Sequence, residues 1–289
     1  MATVGRLLTR SPSSGEGSAS AVGATPTGAP EARPARDLGE VRRPAIRAAL
    51  LDAVPAWVAA RVVVGTALVL AHLSVSTARP HDAAAAQRVH EGLLSWDAGW
   101  YQAIAAHGYA TAGTESLRFF PAFPMAARAL SWLPGVTAGA ALVVLSNLAA
   151  LAAMVALGVL VRVDLGDADL ARRAVWLMAL APAAYTFVLG YADSSLLLLA
   201  VLTVLAARRR WWWAAALAGL GAGLVRPLGV LLAVPVAVEA LRFQHGEPHG
   251  ERSLDEGRAA RAARLSPRAA AVVAPLAGAA GYLAWVGAQ

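Results

Sequence analysis

Apolar and polar positions fall into long blocks along this chain, and six or more apolar blocks approach or reach the length of a membrane span. The first, residues 53–75, can cross a ~30 Å hydrocarbon core at ~1.5 Å per helical residue. A polar loop, residues 76–135, follows and is interrupted by short amphipathic pieces. The second span covers 136–161 and stops at the Arg- and Asp-rich segment 162–173. The third and fourth, 174–190 and 194–207, form a hairpin about Tyr191-Ala192-Asp193. Arg208-Arg209-Arg210 closes the fourth, and Trp211-Trp212-Trp213 reads as an interfacial aromatic belt. Residues 214–241 carry Arg226-Pro227 near their middle, so they are one kinked helix or two half-spans meeting at Arg226. Gly219 and Gly223 have the spacing that lets helices pack closely. A charged loop, 242–268, precedes a last span, 269–288. The pattern predicts an all-α fold, a polytopic membrane helix bundle whose large first outside loop carries short amphipathic helices.

Residues 1–45 are rich in Ser, Gly, Pro, Ala and Arg without apolar periodicity, which predicts a disordered, weakly basic cytoplasmic tail. They lack the apolar core of a signal peptide. Residues 46–289 form the membrane domain. Placing the tail, 162–173 and 208–210 inside satisfies the preference of cytoplasmic loops for basic residues. The loop with Asp97 and the Tyr191–Asp193 turn are then outside. Arg226 joins them if its segment breaks into a hairpin.

Composition sharpens this picture. A mean hydropathy of +0.55 with 58% hydrophobic residues lies far from a soluble domain's balance. The net charge of +7 comes from residues that sit mainly between apolar blocks, which argues against a nucleic-acid partner. Every basic side chain is Arg and none is Lys, a bias of GC-rich, bacterial coding. Without cysteine there is no disulfide, thiolate nucleophile or Cys-based metal site.

The loop's chemistry centres on Trp96-Asp97-Ala98-Gly99-Trp100-Tyr101. Trp96, Trp100 and Tyr101 offer flat amphipathic rings that stack on sugars or sit among lipid headgroups, and they wall a carboxylate suited to act as a base. The plainer alternative is that Asp97 is the N-cap of a helix over 97–107, and the two roles are compatible. Arg118-Phe119-Phe120-Pro121-Ala122-Phe123-Pro124 reads chiefly as a rigid structural run, with Arg118 able to meet a phosphate. Asp193 is either a functional acid at membrane depth or a turn cap. Arg226, inside an apolar stretch, needs a partner: Asp193, Asp97 or an anionic ligand such as a phosphate. His81-Asp82 and His107 are weak metal candidates. No Walker loop, dinucleotide fingerprint, Ser-His-Asp set or HExxH is present.

Several of these residues recur in a familiar order: Trp96-Asp97 with Trp100-Tyr101, Gly108-Tyr109, Phe119-Phe120-Pro121 with Phe123-Pro124, and Ser146-Asn147. Ala181-Pro182, Tyr191 with Asp193-Ser194, and Arg226 with Gly229 continue it. Over about residues 53–241 the chain resembles the PIG-V-like mannosyltransferases, relatives of GPI mannosyltransferase II within the GT-C glycosyltransferases. The resemblance implies a GT-C-like, inverting membrane enzyme that takes mannose from polyprenyl-phosphate mannose, or dolichyl-phosphate mannose in a eukaryote. The acceptor would be a glycolipid or lipoglycan. The family's acid in the first outside loop maps to Asp97. Its Tyr-x-Glu-Ser turn stands here as Tyr191-Ala192-Asp193-Ser194, with a shorter acid, and Ala98 takes the place of a second acid beside Asp97. With about six or seven spans, the chain is expected to be C-terminally incomplete.

The residues suit that chemistry. A lipid phosphate is already a good leaving group, so one base, Asp97, suffices to deprotonate the acceptor hydroxyl. Arg226, or Arg118, would stabilise the departing phosphate, while Trp96, Trp100, Tyr101, Tyr191 and Asp193 complete the candidate substrate site. No cofactor is called for, with a divalent metal as the open alternative. Membrane lipids are the remaining partners. The expected location is the plasma membrane with a cytoplasmic N-terminus, or the endoplasmic reticulum in a eukaryote. A secondary transporter or a non-catalytic scaffold are the competing readings, the first disfavoured by the absence of visible inverted repeats.

Overall fold

The computed structural model describes residues 38–77, 87, 89–245 and 258–289. Of the expected tail, residues 1–37 lie outside this set, and so do His81 and Asp82. Among the described residues every regular element is an α- or 3-10 helix. Three stretches are long and apolar enough to cross a membrane: Pro44–Val75, Ala138–Leu165 and Ser266–Gly287.

Helix α1 (Leu38–Thr77) begins well before the first expected span and includes residues 38–45 of the expected tail. Ala49, Ala53, Ala56 and Ala60 repeat at helical spacing, are buried, and form its packing face. Val62, Val63, Val69, Leu70 and Leu73 remain exposed, as a lipid-facing surface requires.

The loop after α1 folds into helices α2 (Asp97–His107), α3 (Tyr109–Ala112) and α4 (Ala122–Leu130), with a 3-10 turn over Thr114–Arg118. Helix α2 buries Ala98, Tyr101, Ile104 and Ala105, and α4 buries Phe123, Pro124 and Ala127. Each presents one apolar face to the bundle, as the sequence pattern predicts.

Helix α5 (Ala138–Leu165) returns toward the far end, its first turn capped by Thr137, whose hydroxyl accepts the Ala140 N–H at 3.2 Å. Helix α6 (Ala168–Leu180) starts with Asp167 accepting the Leu170 N–H at 2.9 Å. It stops earlier than the apolar block suggests. Ala181 precedes Pro182, which disfavours helical backbone, and residues Pro182–Phe187 continue as a 3-10 helix. Helix α7 (Asp193–Arg208) then descends beside α5, pinned by the buried Ser146 and Ser194 hydroxyls at 3.1 Å.

Residue Arg226 is extended (φ −155°, ψ 153°) and ends helix α8 (Trp212–Val225) because Pro227 follows it. A 3-10 segment, Pro227–Leu232, leads into helix α9 (Ala233–His245). Val236 and Ala240 of α9 share a buried cluster with Trp212, Ala215 and Ala216 of α8 and with Ala206 and Ala207 of α7, and Glu239 meets Arg208 at 3.4 Å. Helix α9 therefore runs back toward the end of the bundle at which α8 begins. The two half-spans form a hairpin with Arg226 at its tip.

Helix α10 (Arg258–Gly287) runs parallel to α8 with their backbones in contact. A Cβ on Gly223 would stand 2.1 Å from the Pro275 carbonyl oxygen, and one on Gly278 would stand 2.4 Å from that of Leu220. The glycine spacing in α8 thus serves close helix packing. At the end remote from Asp97, Arg162 pairs with Asp52 and Arg208 with Asp164, tying α1 to α5 and α5 to α7.

Candidate functional site

One end of the bundle gathers most of the residues that the sequence singles out. Asp97 is the first residue of α2, and Trp96 occupies the N-cap position with φ 53° and no side-chain capping bond. The alternative of Asp97 as N-cap is not realised. Asp97 and Tyr101, four residues apart, share one helix face. They line a cavity of about 430 Å³ together with Trp100, Arg118 and Phe119. Arg226, Pro227 and Leu228 close it from the hairpin tip.

The aromatic wall differs from the expected one. Trp96 is 57% exposed and does not line the cavity, and Asp97 is itself exposed at its mouth. The reason is local: the left-handed backbone at Trp96 turns its ring outward as the helix starts. Trp100 does form wall, stacked on Phe119 with ring centroids 5.9 Å apart. Phe119 and Phe123 each meet the Tyr101 ring edge-on at 5.1 Å. The Phe119 carbonyl accepts from the Tyr109 hydroxyl at 2.7 Å and the Tyr282 hydroxyl at 2.9 Å, so this segment is a structural anchor as well as a wall.

Arg226 and Asp193 form an ion pair at 3.0 Å, each side chain about a quarter exposed. The approach lies off the hydrogen-bond axis, leaving Asp193 Oδ2 buried without a directed hydrogen bond. Arg226 also faces the Tyr101 phenol. Gly229 makes this packing possible, since a Cβ there would stand 2.3 Å from the Ala222 carbonyl oxygen. Arg118 is exposed, pairs with Glu115, and lies 5.8 Å from the Trp100 ring centre.

Tyr191 sits behind Asp97 and donates its hydroxyl hydrogen to the Ser95 carbonyl at 3.3 Å. Burial, reinforced by the Asp97 charge, pushes its phenol up to about 12. Burial likewise raises Tyr101 to about 12, with Arg226 pulling against it. Both phenols stay protonated at neutral pH and remain donors. His107 is exposed at the end of α2. Among the described residues no three side chains of metal-ligating type converge.

Sequence reasoning passed over Arg61, although a lone Arg inside the first apolar block is itself a signal. Its Nε donates to Asn147 Oδ1 at 2.8 Å, Nη1 to the Trp57 carbonyl at 3.1 Å, and Nη2 to the Phe187 carbonyl at 3.0 Å. Asn147 in turn donates to the Val188 carbonyl at 2.9 Å. This clasp holds the 3-10 segment that leads into Tyr191 and Asp193.

The sequence profile of the mannosyltransferase (PIG-V) family matches residues 50–240, a stretch that contains every candidate site residue. No curated protein and no solved structure gives a match. The chain is thus an enzyme, and the transporter and scaffold readings fall. It belongs to the PIG-V family of membrane mannosyltransferases.

Proposed function

We propose that this mannosyltransferase takes mannose from a polyprenyl-phosphate-mannose donor and passes it to a glycolipid or lipoglycan at the outer membrane face, with Asp97 as base. The observation that carries the reading is one cavity lined by a carboxylate, Asp97, and two guanidiniums, Arg118 and Arg226. Asp97 takes the proton of an acceptor hydroxyl, whose oxygen attacks the anomeric carbon. The bond from that carbon to the phosphate oxygen breaks on the opposite face, and its electron pair leaves with the phosphate. Configuration inverts. Arg226 receives the growing phosphate charge, held in place by Asp193, with Arg118 as a more solvated second contact. Trp100 offers a ring face to the sugars, the buried Tyr101 turns its phenol toward Arg226, and Trp96 lies outward at the rim among headgroups.

An apolar cavity of about 430 Å³ between Phe123, Leu145, Leu199 and Val225 suits the first isoprene units of such a donor. No cofactor enters this scheme. The N-terminus is cytoplasmic and the membrane is the plasma membrane, or the endoplasmic reticulum in a eukaryote, as the basic loops suggest.

The test is transfer from radiolabelled polyprenyl-phosphate mannose in membranes carrying wild type, Asp97→Asn or Arg118→Ala. Loss of a positioned base lowers the rate about 10²–10⁴-fold, and Arg118→Ala has the smaller effect. Undiminished transfer by Asp97→Asn would sink the assignment of the base.

A further inference from the structure

A second groove runs along the bundle away from the Asp97 cavity. Leu148, Val155 and Val159 of α5 face Leu198, Leu202 and Leu205 of α7 across about 560 Å³. Ile46 and Leu50 of α1 close one side. Between residues 148 and 159 an α-helix rises about 17 Å, close to the ~15 Å depth of one leaflet's hydrocarbon. The walls are aliphatic until the groove ends, remote from Asp97, on Arg209 and Trp211.

Arg209 differs from its neighbour. Arg208 pairs with both Asp164 and Glu239. Arg209 Nη2 is buried and meets no hydrogen-bond acceptor among the described residues. A buried guanidinium nitrogen without an acceptor is destabilising, and a phosphate oxygen is the acceptor that its charge and geometry fit best. Trp211, 44% exposed beside it, is the residue type that settles at headgroup level.

We propose that this groove binds a glycerophospholipid of the leaflet remote from Asp97, one acyl chain lying between α1, α5 and α7 and the phosphate on Arg209. Three features fit that occupant together: an apolar length of one leaflet, a cation at the end where a headgroup would lie, and an interfacial Trp beside it. The lipid fills the wedge between α1 and α7. The groove shares Leu148, Ala152 and Leu198 with the apolar cavity offered to the donor's isoprene units, whose phosphate belongs at Arg226 on the opposite end, so the two occupants are told apart by experiment.

The full chain, reconstituted in nanodiscs of equal parts phosphatidylglycerol and phosphatidylcholine and then released into mild detergent, is examined by native mass spectrometry. Wild type retains phosphatidylglycerol preferentially. Arg209→Gln lowers that retention roughly fivefold, the effect of one basic residue at an anionic surface, while Arg209→Lys keeps most of it. Leu202→Trp, which fills a lipid-facing part of the groove, lowers retention of both phospholipids; an unchanged thermal unfolding midpoint in excess detergent confirms that each variant is folded. Equal retention by wild type and Arg209→Gln overturns the proposal. Displacement of the phospholipid from wild type by added polyprenyl phosphate, which is then retained in its place, also overturns it and assigns the groove to the donor's tail.

Discussion

Arg226 meets Asp193 at 3.0 Å, joining the tip of the α8–α9 hairpin to the first residue of α7. The pair couples two segments that no local sequence signal connects, and it leaves the guanidinium beside the Asp97 cavity. Removing Asp193 strands a positive charge that is only a quarter exposed.

Asp193→Ala should therefore destabilise the protein by about 1–3 kcal/mol, below the range for a fully buried pair because solvent reaches both groups. Arg226→Leu combined with Asp193→Ala should recover most of that stability without recovering transfer. Thermal unfolding and the mannose-transfer assay, run on the same preparations, separate the two effects. Recovery of transfer in the double variant would rule out a phosphate role for Arg226.

The Arg61–Asn147 clasp predicts a second coupling. Arg61→Met leaves the Phe187 carbonyl and Asn147 Oδ1 without their donor, at about 2–4 kcal/mol. The freed 3-10 segment should also become sensitive to protease between residues 182 and 192. Protection equal to wild type at that segment would mean the clasp does not position the turn.

Close packing of α8 on α10 makes a glycine test available. Gly223→Ala places its methyl against the Pro275 backbone, which cannot rotate away, and should cost at least about 1–3 kcal/mol. Gly281→Ala meets open space and should be neutral or slightly stabilising. Similar melting temperatures for the two variants would contradict the helix contact.

Tyr101 predicts a stability change at alkaline pH. Its phenol ionises near 12 when folded, against 10.0 ordinarily. Below pH 10 both states keep the proton and nothing is lost. Between pH 10 and 12 the unfolded chain ionises first, so folding weakens by about 2–3 kcal/mol from this group alone. Tyr101→Phe should flatten part of that slope in denaturation measured across the range. A slope unchanged by the substitution would show that the phenol is not held neutral by burial.

The helical membrane fold was readable because apolar block length reports directly on span length. The proline breaks were readable in part. Arg226-Pro227 marks a discontinuity, whereas Ala181-Pro182, although it carries part of the family resemblance, lies within a block of uniform hydropathy, so block length alone makes the third span too long. Within the candidate site, Asp97, Trp100, Tyr101, Arg118 and Arg226 stand out as polar or aromatic residues in apolar surroundings, and they line one cavity. Trp96 stands out equally but turns outward, because its φ of 53° redirects the side chain. Arg61 was missed because its partners are backbone carbonyls and one amide, 86 and 126 residues away for Asn147 and Phe187.

By itself, the sequence determined the helical kind of the elements, the acidic loop and the family, since these depend on local composition and on residues in order. Only the tertiary structure decided that the Arg226 segment folds back on itself, that Asp193 rather than Asp97 is its ion-pair partner, and that Arg209 ends an apolar groove. Each of those outcomes depends on which helix faces lie against one another. Hydropathy is nearly uniform around these helices, so it carries little information about facing, and small residues, proline breaks and buried polar pairs select the arrangement.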